Sequence, residues 1–191
     1  RYVYDYIDRK VKTTANGIGT ISTTAYAILS NGNTQTTNVN YIDDTKTATT
    51  VQTMDYADRL ISQTNPDGTV IKKSYDKSGL LVSSTDAKNN TTTYTYNMYG
   101  LVEQEKKPLE VKDGITYYSI TKYEYDKNGN NTAVYKSNNA VGESEAFTKT
   151  EYTYDGFNNM TSVLSYDGSN VENIVKYTYD NVGNKTEMYT G

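Results

Sequence analysis

The chain has 191 residues, a formal net charge of −4 at pH 7 and 35% hydrophobic residues, and it contains neither cysteine nor histidine. The missing cysteine excludes disulfides and Cys-ligated zinc within this chain, and the missing basic cluster argues against nucleic-acid binding, which needs a positive footprint. No apolar run approaches the roughly 18 to 20 residues that a membrane span requires.

One short phrase recurs when the elements are taken in chain order. Its anchor residue stands before an Asp or Asn, and a glycine or a substitute for it follows three residues after that Asp or Asn. The seven readable anchors are Tyr4 (YDYID), Met54 (MDYAD), Tyr75 (YDKSG), Tyr96 (YNMYG), Tyr125 (YDKNG), Tyr154 (YDGFN) and Tyr179 (YDNVG). The wide first gap is expected to hold one degenerate copy around YAILSNGNT, residues 26–34. The chain is therefore a repeat array.

The last copy, KYTYDNVGNKTEMY at residues 176–189, shows what each copy encodes. Tyr177 and Tyr179 are two positions apart, so they share one face of an extended strand. The next residues favour a type I turn, in which the Asp180 carboxylate accepts a backbone N–H and Gly183 takes the positive φ of a bulged hairpin. Each copy therefore predicts the turn and flanking strand of a β-hairpin.

A second turn signal lies between successive anchors, most clearly in NPDG at residues 65–68 and again in VKDG and YDGS. Each unit thus reads strand, turn, strand, turn, and about seven to eight units predict about 14 to 16 antiparallel strands. Pro66 falls in a turn, whereas Pro108 is expected at a strand end or in a loop. No linker interrupts the repeats, so residues 1–191 are expected to form a single all-β array, curled by its accumulated twist.

The stretches YDKSGLLVSSTDAKNNTTTYTYN and YDNVGNKTEMY resemble the YD repeats of RHS-repeat proteins, and the resemblance covers essentially the whole chain. It implies a ribbon of β-hairpins that spirals into a hollow RHS shell. Bacterial members, among them Tc toxin complexes and polymorphic toxins, enclose a C-terminal toxic domain, and the animal teneurins use a related shell. By this resemblance we expect a structural shell segment of a longer bacterial protein, secreted or at the cell surface. Its partners would be the rest of the parent RHS shell and the enclosed C-terminal domain.

The chain departs from the family pattern at several turns. Asp8, Asp58 and Asn158 replace the turn glycine, Met54 replaces a tyrosine, and Asn97 replaces an aspartate. Asp and Asn tolerate the left-handed conformation better than other non-glycine residues, so these turns are expected to survive. The family's self-cleavage motif is rich in Asp-Pro, and no Asp-Pro dipeptide occurs here. The resemblance therefore implies a chain without the proteolytic step and without the toxin itself.

The recurring aspartates are candidates for catalytic carboxylates or calcium ligands, but turn capping already explains their fixed place before each turn. DKNGN at residues 126–130 alternates oxygens as a calcium loop does, yet it lacks the glycine at the sixth position and the Glu at the twelfth. Nucleophilic catalysis has little support without Cys or His, although a Ser–Lys pair stays open. We therefore expect no enzyme activity, no cofactor and no metal. The residues expected to form structural turns and pairs are Tyr4, Asp5, Tyr75, Asp76, Gly79, Tyr96, Gly100, Tyr125, Asp126, Gly129, Tyr154, Asp155, Tyr179, Asp180 and Gly183.

The 21 tyrosines allow two interpretations. Rings on an exposed sheet face can stack against sugars, which would make the chain a carbohydrate- or cell-wall-binding module for surface glycans. Alternatively, a bulged turn opposes each anchor to an aliphatic residue across the hairpin, so that the rings stabilise the sheet itself. The pairs expected are Tyr75 with Leu81, Tyr96 with Val102 and Tyr154 with Met160. The regular place of the tyrosines beside the turns favours this structural role.

Strand edges at the ends of such an array recruit other chains unless charges or bulges blunt them. Charged side chains do stand in the expected strands, at Lys72, Lys73, Lys122, Glu124 and Lys176. We therefore expect limited self-association of this fragment, through edge-to-edge pairing or packing of tyrosine-bearing faces, rather than fibrils.

Overall fold

The computed structural model of the chain describes residues 1–16, 19–43, 45–141 and 147–191. These residues form sixteen antiparallel β-strands, which confirms the predicted all-β class and strand number. No helix in this part of the chain is long and apolar enough to cross a membrane. The chain divides into two compact units, Arg1–Thr91 and Thr92–Gly191. The curl of the array stays a prediction.

The first unit is an antiparallel meander in which each strand pairs with the next one along the chain. The strands are β1 (Tyr2–Tyr4), β2 (Lys10–Ala15), β3 (Gly19–Ile28), β4 (Thr34–Tyr41), β5 (Thr47–Met54), β6 (Leu60–Thr64), β7 (Val70–Tyr75) and β8 (Leu81–Thr85). Strands β3 and β7 alternate between half-buried and exposed positions over part of their length, as strands with one wetter face do, whereas β5, β6 and β8 are half-buried at nearly every position.

The second unit repeats the same plan with longer strands. Its strands are β9 (Thr91–Tyr96), β10 (Val102–Lys112), β11 (Ile115–Tyr125), β12 (Asn131–Ala140), β13 (Thr148–Tyr154), β14 (Met160–Asp167), β15 (Asn170–Tyr179) and β16 (Lys185–Thr190). Successive antiparallel strands run in opposite directions, so alternate turns of a meander lie at the same end of its strands. The predicted Asp-containing turns follow the odd-numbered strands and therefore share one end within each unit.

The buried core is small. Among the described residues the buried hydrophobic side chains are Ile120 on β11 and Ala133 on β12, at 0% and 2% exposure. Burial of apolar surface is the main force that stabilises most folds, and here few side chains are removed from water completely. The sheet must therefore draw much of its stability from ladder hydrogen bonds, cross-strand pairs and the turns.

The expectation for Pro108 is wrong. Pro108 lies inside β10, opposite Tyr118, and the register of β10 against β11 shifts between Pro108 and Glu110. Proline cannot donate to a ladder, but an irregular position in the strand tolerates the missing N–H. The strand therefore continues past the proline because a bulge accommodates it.

Candidate functional site

The turn after β15 shows the geometry that the repeat builds. The Asp180 N–H donates to the Asn184 carbonyl at 2.9 Å, and the Gly183 N–H donates back to the Asp180 carbonyl at 3.1 Å. The Asp180 Oδ1 accepts the N–H groups of Val182 and Asn184, at 3.0 and 2.8 Å, and its Oδ2 accepts the Asn184 side-chain amide at 2.9 Å. Gly183 has a φ of 86°. One carboxylate thus closes a five-residue turn with three hydrogen bonds.

The same turn follows every odd-numbered strand, and we call these the YD turns. In each, the N–H of the first residue donates to the carbonyl of the fifth at 2.8–2.9 Å, and the N–H of the fourth donates to the carbonyl of the first at 2.9–3.2 Å. The YD turns begin at Asp5, Leu29, Asp55, Asp76, Asn97, Asp126, Asp155 and Asp180. In all but the Leu29 turn, Oδ1 of the first residue also accepts the N–H groups of the third and fifth residues.

These hydrogen bonds favour the ionised carboxylate. The Asn159 side-chain amide, followed by the Asn159 and Phe157 backbone N–H groups, holds the pKa of Asp155 below its ordinary value of 3.8. At Asp55 the Arg59 guanidinium is the largest cause of the lowered pKa, and its Nη2 lies 2.7 Å from Oδ2. A lowered folded-state pKa means that the charged carboxylate stabilises the fold.

The turns without glycine keep the same shape. Asp8, Asp58 and Asn158 have φ values of 60°, 60° and 66°. Their hydrogen bonds match those of the glycine turns, so the prediction that they survive is confirmed. The predicted degenerate copy is the turn that begins at Leu29, which has no carboxylate at its first position. There Asn31 Oδ1 caps the Asn33 N–H at 3.1 Å instead.

Two turns of this type lie at the opposite end of the strands, the predicted NPDG turn and a turn at residues 86–90 that was not predicted. Asp86 caps the turn of residues 86–90 with the same three side-chain hydrogen bonds as Asp180. Asn65 begins the NPDG turn, where Asp67 accepts the N–H and hydroxyl of Thr69. The signal that could have found the turn at residues 86–90 is an Asp three residues before an Asn, here Asp86 and Asn89, without a tyrosine before the Asp.

Four of the anchor tyrosines join their hairpin to the one before it. The Tyr179 hydroxyl donates to the Met160 carbonyl at 2.7 Å, across from β15 to β14. Met160 is the first residue after the preceding YD turn. Three more anchors make the equivalent bond, Tyr75 to Leu60 (3.1 Å), Tyr125 to Val102 (2.8 Å) and Tyr154 to Asn131 (2.8 Å), and Tyr26 reaches Lys10 at 3.4 Å. We call these contacts the tyrosine–carbonyl bonds.

Each acceptor carbonyl lies where the ladder is irregular. Met160 pairs with Tyr154, and the register of β13 against β14 shifts next to this pair. The same shift stands at the acceptor of every other tyrosine–carbonyl bond. A bulge disrupts the ladder locally, so a backbone acceptor there is available to a side chain. The phenol therefore satisfies its hydroxyl inside the sheet, which phenylalanine cannot do.

The register contains the predicted cross-strand pairs. Tyr75 lies opposite Leu81, Tyr96 opposite Val102 and Tyr154 opposite Met160, each next to a register shift. In the first unit the Arg59 guanidinium lies over the Tyr75 ring, 4.6 Å from its centroid. A cation over a tyrosine face is stabilising, so Tyr75 is held by its ring and by its hydroxyl together.

Neighbouring YD turns also touch each other. A Cβ added to Gly79 would lie 3.3 Å from Nη1 of Arg59, in the preceding YD turn of the first unit. In the second unit the side-chain amides of Asn128 and Asn130 both donate to Oδ1 of Asn158, at 2.9 and 2.8 Å. Neighbouring YD turns are therefore in contact at one place in the first unit and at one place in the second.

A second polar cluster lies in the strands of the second unit, around Lys149. Its Nζ lies 5.5 Å from the ring centroids of Tyr135 and of Tyr166, and it pairs with Glu151, which accepts the Tyr166 hydroxyl. The hydrogen bond from Lys149 is the largest cause of the lowered pKa of Glu151. The charged and aromatic groups of this cluster therefore contact one another.

An open groove of about 460 Å³ lies beside this cluster. Its aromatic lining residues are Tyr123, Tyr135 and Phe147, and Lys122, Glu124 and Gln104 add polar groups. The Lys122 Nζ lies 4.8 Å from the Phe147 ring centroid, and the Tyr135 hydroxyl donates to Glu124 Oε1 at 3.1 Å. Aromatic walls with a few polar groups are typical of small-ligand sites.

The described carboxylates are not grouped as metal ligands would be. Within the described ranges there is no group of three or more His, Cys, Asp or Glu residues that could hold a metal ion. Both carboxylate oxygens of Asp126, in the DKNGN turn, are occupied by Asn128 and Asn130 N–H groups. The Asp126 oxygens, which suggested a calcium loop, accept hydrogen bonds that close the turn.

Comparison by sequence links part of this array to a known family. The RHS Repeat family model matches residues 55–87 and 75–111. These residues contain the YD turns that begin at Asp55, Asp76 and Asn97. The predicted resemblance to RHS-repeat proteins is confirmed over residues 55–111. No curated protein matches the sequence of the chain.

Comparison with solved structures gives matches to parts of much longer chains. The crystal structure of TcdB2-TccC3-Cdc42 matches with 15% identity and a TM-score of 0.44, over 100% of this chain and 14% of that one. TcdB2-TccC3 without its hypervariable C-terminal region gives 15% identity and a TM-score of 0.44, over 100% and 15% of the two chains. TcdB2-TccC3 gives 18% and 0.44, over 96% and 12%. The chain spans less than a sixth of the length of each of these proteins.

Proposed function

We propose that this chain is a structural segment of an RHS-type β-shell, and that its parent protein encloses a C-terminal toxic or effector domain. The family match at residues 55–111 supports the shell, because RHS repeats are its building unit. The proposal also places the parent outside the cell, secreted or at its surface. It assigns the chain no reaction, cofactor or metal.

The observation that carries this proposal is the series of tyrosine–carbonyl bonds. A binding surface presents its aromatic rings and hydroxyls to a ligand, whereas four anchors here donate their hydroxyls to the sheet at 2.7–3.1 Å. The carboxylates at the turns are occupied in the same way. The repeated residues therefore stabilise the sheet itself and are not free to bind a ligand. A sheet built in this way suits a shell, whose role is to separate an enclosed domain from its surroundings.

The test is protection of the enclosed domain in the parent protein. The reading frame around this chain is first sequenced for a downstream variable domain. The parent, a deletion of residues 1–191 and a parent carrying Tyr152→Phe are then digested with a protease. We expect the C-terminal domain to be protected in the parent and in the Tyr152→Phe control, and cleaved in the deletion. A domain equally protected in the deletion, or a parent without such a domain, would contradict the proposal.

The groove beside Phe147 favours carbohydrate binding as a second candidate function. Its Phe147 and Tyr135 rings can stack on a sugar, and Gln104 and Glu124 can hydrogen-bond its hydroxyls. Phe147 is a better test position than Tyr125, because the Tyr125 hydroxyl is bonded to the Val102 carbonyl and its removal would also weaken the sheet.

A glycan array probed with the chain and with Phe147→Ala tests this candidate. Saturable binding that is lost in Phe147→Ala but kept in Phe157→Ala would support carbohydrate binding. Phe157 is a suitable control because it lies in a turn and is 85% exposed. Absence of saturable binding would leave the shell as the function of this chain.

A further inference from the structure

Three Asn-Gly pairs stand in this chain, at Asn16-Gly17, Asn31-Gly32 and Asn128-Gly129. Glycine has no side chain to shield its backbone nitrogen, so this nitrogen can attack the Cγ carbon of the asparagine before it. Gly17 lies outside the described residues. The other two pairs occupy the third and fourth positions of YD turns, so their surroundings can be compared position by position.

The two YD turns hold the attacking nitrogen in the same way. The Gly32 N–H donates to the Leu29 carbonyl at 2.9 Å, and the Gly129 N–H donates to the Asp126 carbonyl at 3.1 Å. Both glycines have a positive φ, of 84° and 86°. A nitrogen whose N–H is held in this bond is not free to attack a side chain, so the reaction requires the turn to open. The rate at each pair therefore follows how often its turn opens.

The turn that begins at Asp126 is closed by side chains. The Asp126 carboxylate accepts the backbone N–H groups of Asn128 and Asn130 and the side-chain amide of Asn130, each at 2.9 Å. The Asn128 amide nitrogen, which would leave in the reaction, donates to Asn158 Oδ1 in the next YD turn at 2.9 Å. Both the turn and the leaving group are thereby held in place.

The turn that begins at Leu29 has weaker side-chain support. Leucine offers no oxygen acceptor at the first position, and the Asn33 N–H donates to Asn31 Oδ1 at 3.1 Å instead. This bond folds the Asn31 side chain back over the following peptide group, and it draws electrons from Cγ, which favours attack on that carbon. The Asn31 side chain is exposed, and its amide nitrogen donates to no other described residue.

We propose that Asn31-Gly32 is a site of spontaneous deamidation in the folded chain, whereas Asn128-Gly129 is protected by its turn. Hydroxide removes the Gly32 amide proton, and the nitrogen then forms a bond to Cγ of Asn31. The side-chain nitrogen takes a proton from water and leaves as ammonia. Water opens the resulting succinimide at either carbonyl, which gives aspartate or isoaspartate at position 31.

The two products differ in their effect on the hairpin of β3 and β4. Both add a negative charge at position 31. Aspartate keeps an oxygen that can accept the Asn33 N–H. Isoaspartate adds a carbon atom to the main chain, so the Gly32 N–H no longer meets the Leu29 carbonyl in the same geometry. The isoaspartate product should therefore loosen the turn.

Site-resolved mass spectrometry of the chain, aged in mildly alkaline buffer, tests the proposal. We expect both products to accumulate at position 31 about tenfold faster than at position 128, because the additional hydrogen bonds make opening of the Asp126 turn about tenfold rarer. In urea, where both turns are unfolded, the two rates should become similar. Equal rates in the folded chain, or a difference that persists in urea, would overturn the proposal.

Reciprocal variants assign the protection to the carboxylate. Leu29→Asp supplies the missing acceptor and should slow the reaction at Asn31, while the matched control Leu29→Ala should not slow it. Asp126→Ala removes the acceptor and should speed the reaction at Asn128, provided that circular dichroism shows its sheet retained. If that sheet is lost, the Leu29 variants decide. Slowing at Asn31 by both Leu29 variants, or by neither, would contradict the proposal.

Discussion

At the scale of single residues, a YD turn needs an oxygen acceptor at its first position and a positive φ at its fourth. Both needs are visible in the substitutions that the chain tolerates. Asn97 keeps an acceptor oxygen and closes its turn with N–H bonds of 2.9 and 3.0 Å. Asp58 and Asn158 keep the positive φ. The recurring Asp or Asn and the recurring Gly, Asp or Asn are therefore explained by what the backbone of the turn needs at its first and fourth positions.

Gly129→Ala tests the φ requirement. Gly129 has a φ of 86°, and a Cβ there would meet only Leu101 Cδ1, at an ordinary 3.8 Å. The cost is therefore conformational, and we expect a loss of roughly 1 kcal/mol, with a melting temperature lower by about 2–4 °C. Gly156→Ala is the matched control, since Gly156 has open space around it and no positive φ. Equal melting temperatures for the two variants would contradict the explanation.

Asp155→Asn tests the charge of the turn. The pKa of Asp155 is lowered in the folded chain, chiefly by the Asn159 amide. A lowered folded-state pKa gives stability that is present above the unfolded value and is lost as the pH falls through the folded value. Asp155→Asn should therefore melt lower than the original chain at neutral pH, because an amide opposes the Asn159 donor. The difference should shrink below pH 3.8.

Melting curves from pH 7 to pH 2 check this expectation. Asp113→Asn is the control, because Asp113 lies in a tight turn of β10 and β11 and does not begin a YD turn. A difference between Asp155→Asn and the original chain that is independent of pH would show that the charge is unimportant.

At the scale of the hairpin, the sequence predicted the turns and the facing pairs, and it could not predict the bonds between hairpins. Tyr154 and Met160 follow from turn length and strand alternation, which are local. The Tyr154 hydroxyl meets the Asn131 carbonyl because a bulge and the pairing of β12 with β13 bring together residues 23 positions apart. The register between hairpins is set by the whole sheet. Pro108 shows the same limit, since only the sheet reveals the bulge that accepts it.

Tyr154→Phe measures one tyrosine–carbonyl bond. The ring and its pairing with Met160 are kept, while the 2.8 Å bond to the Asn131 carbonyl is lost. We expect a cost of about 0.5–1.5 kcal/mol. Tyr152→Phe is the control, because Tyr152 lies on the same strand, opposite Val163, and its hydroxyl bonds to no described residue. Thermal unfolding of the two variants, compared with the original chain, gives the value. Equal losses would assign the effect to the rings and not to the bond.

At the scale of the whole molecule, stability is expected to be distributed along the chain rather than concentrated in one core. Few side chains are fully buried, and the principal contacts join each strand to its neighbours. In repeat arrays of this kind, stability is approximately a sum of unit and nearest-neighbour contributions. Damage to one hairpin should therefore stay near it.

Native-state hydrogen exchange of Gly129→Ala, read by mass spectrometry, tests this central claim most directly. The substitution lies in the turn that joins β11 to β12, so the amides of these strands and of their neighbours β10 and β13 should exchange faster. Strands β1 to β8 should keep the protection that they have in the original chain and in Gly156→Ala. An equal loss of protection in all sixteen strands would contradict the account, because it would show that the chain unfolds as a single cooperative unit.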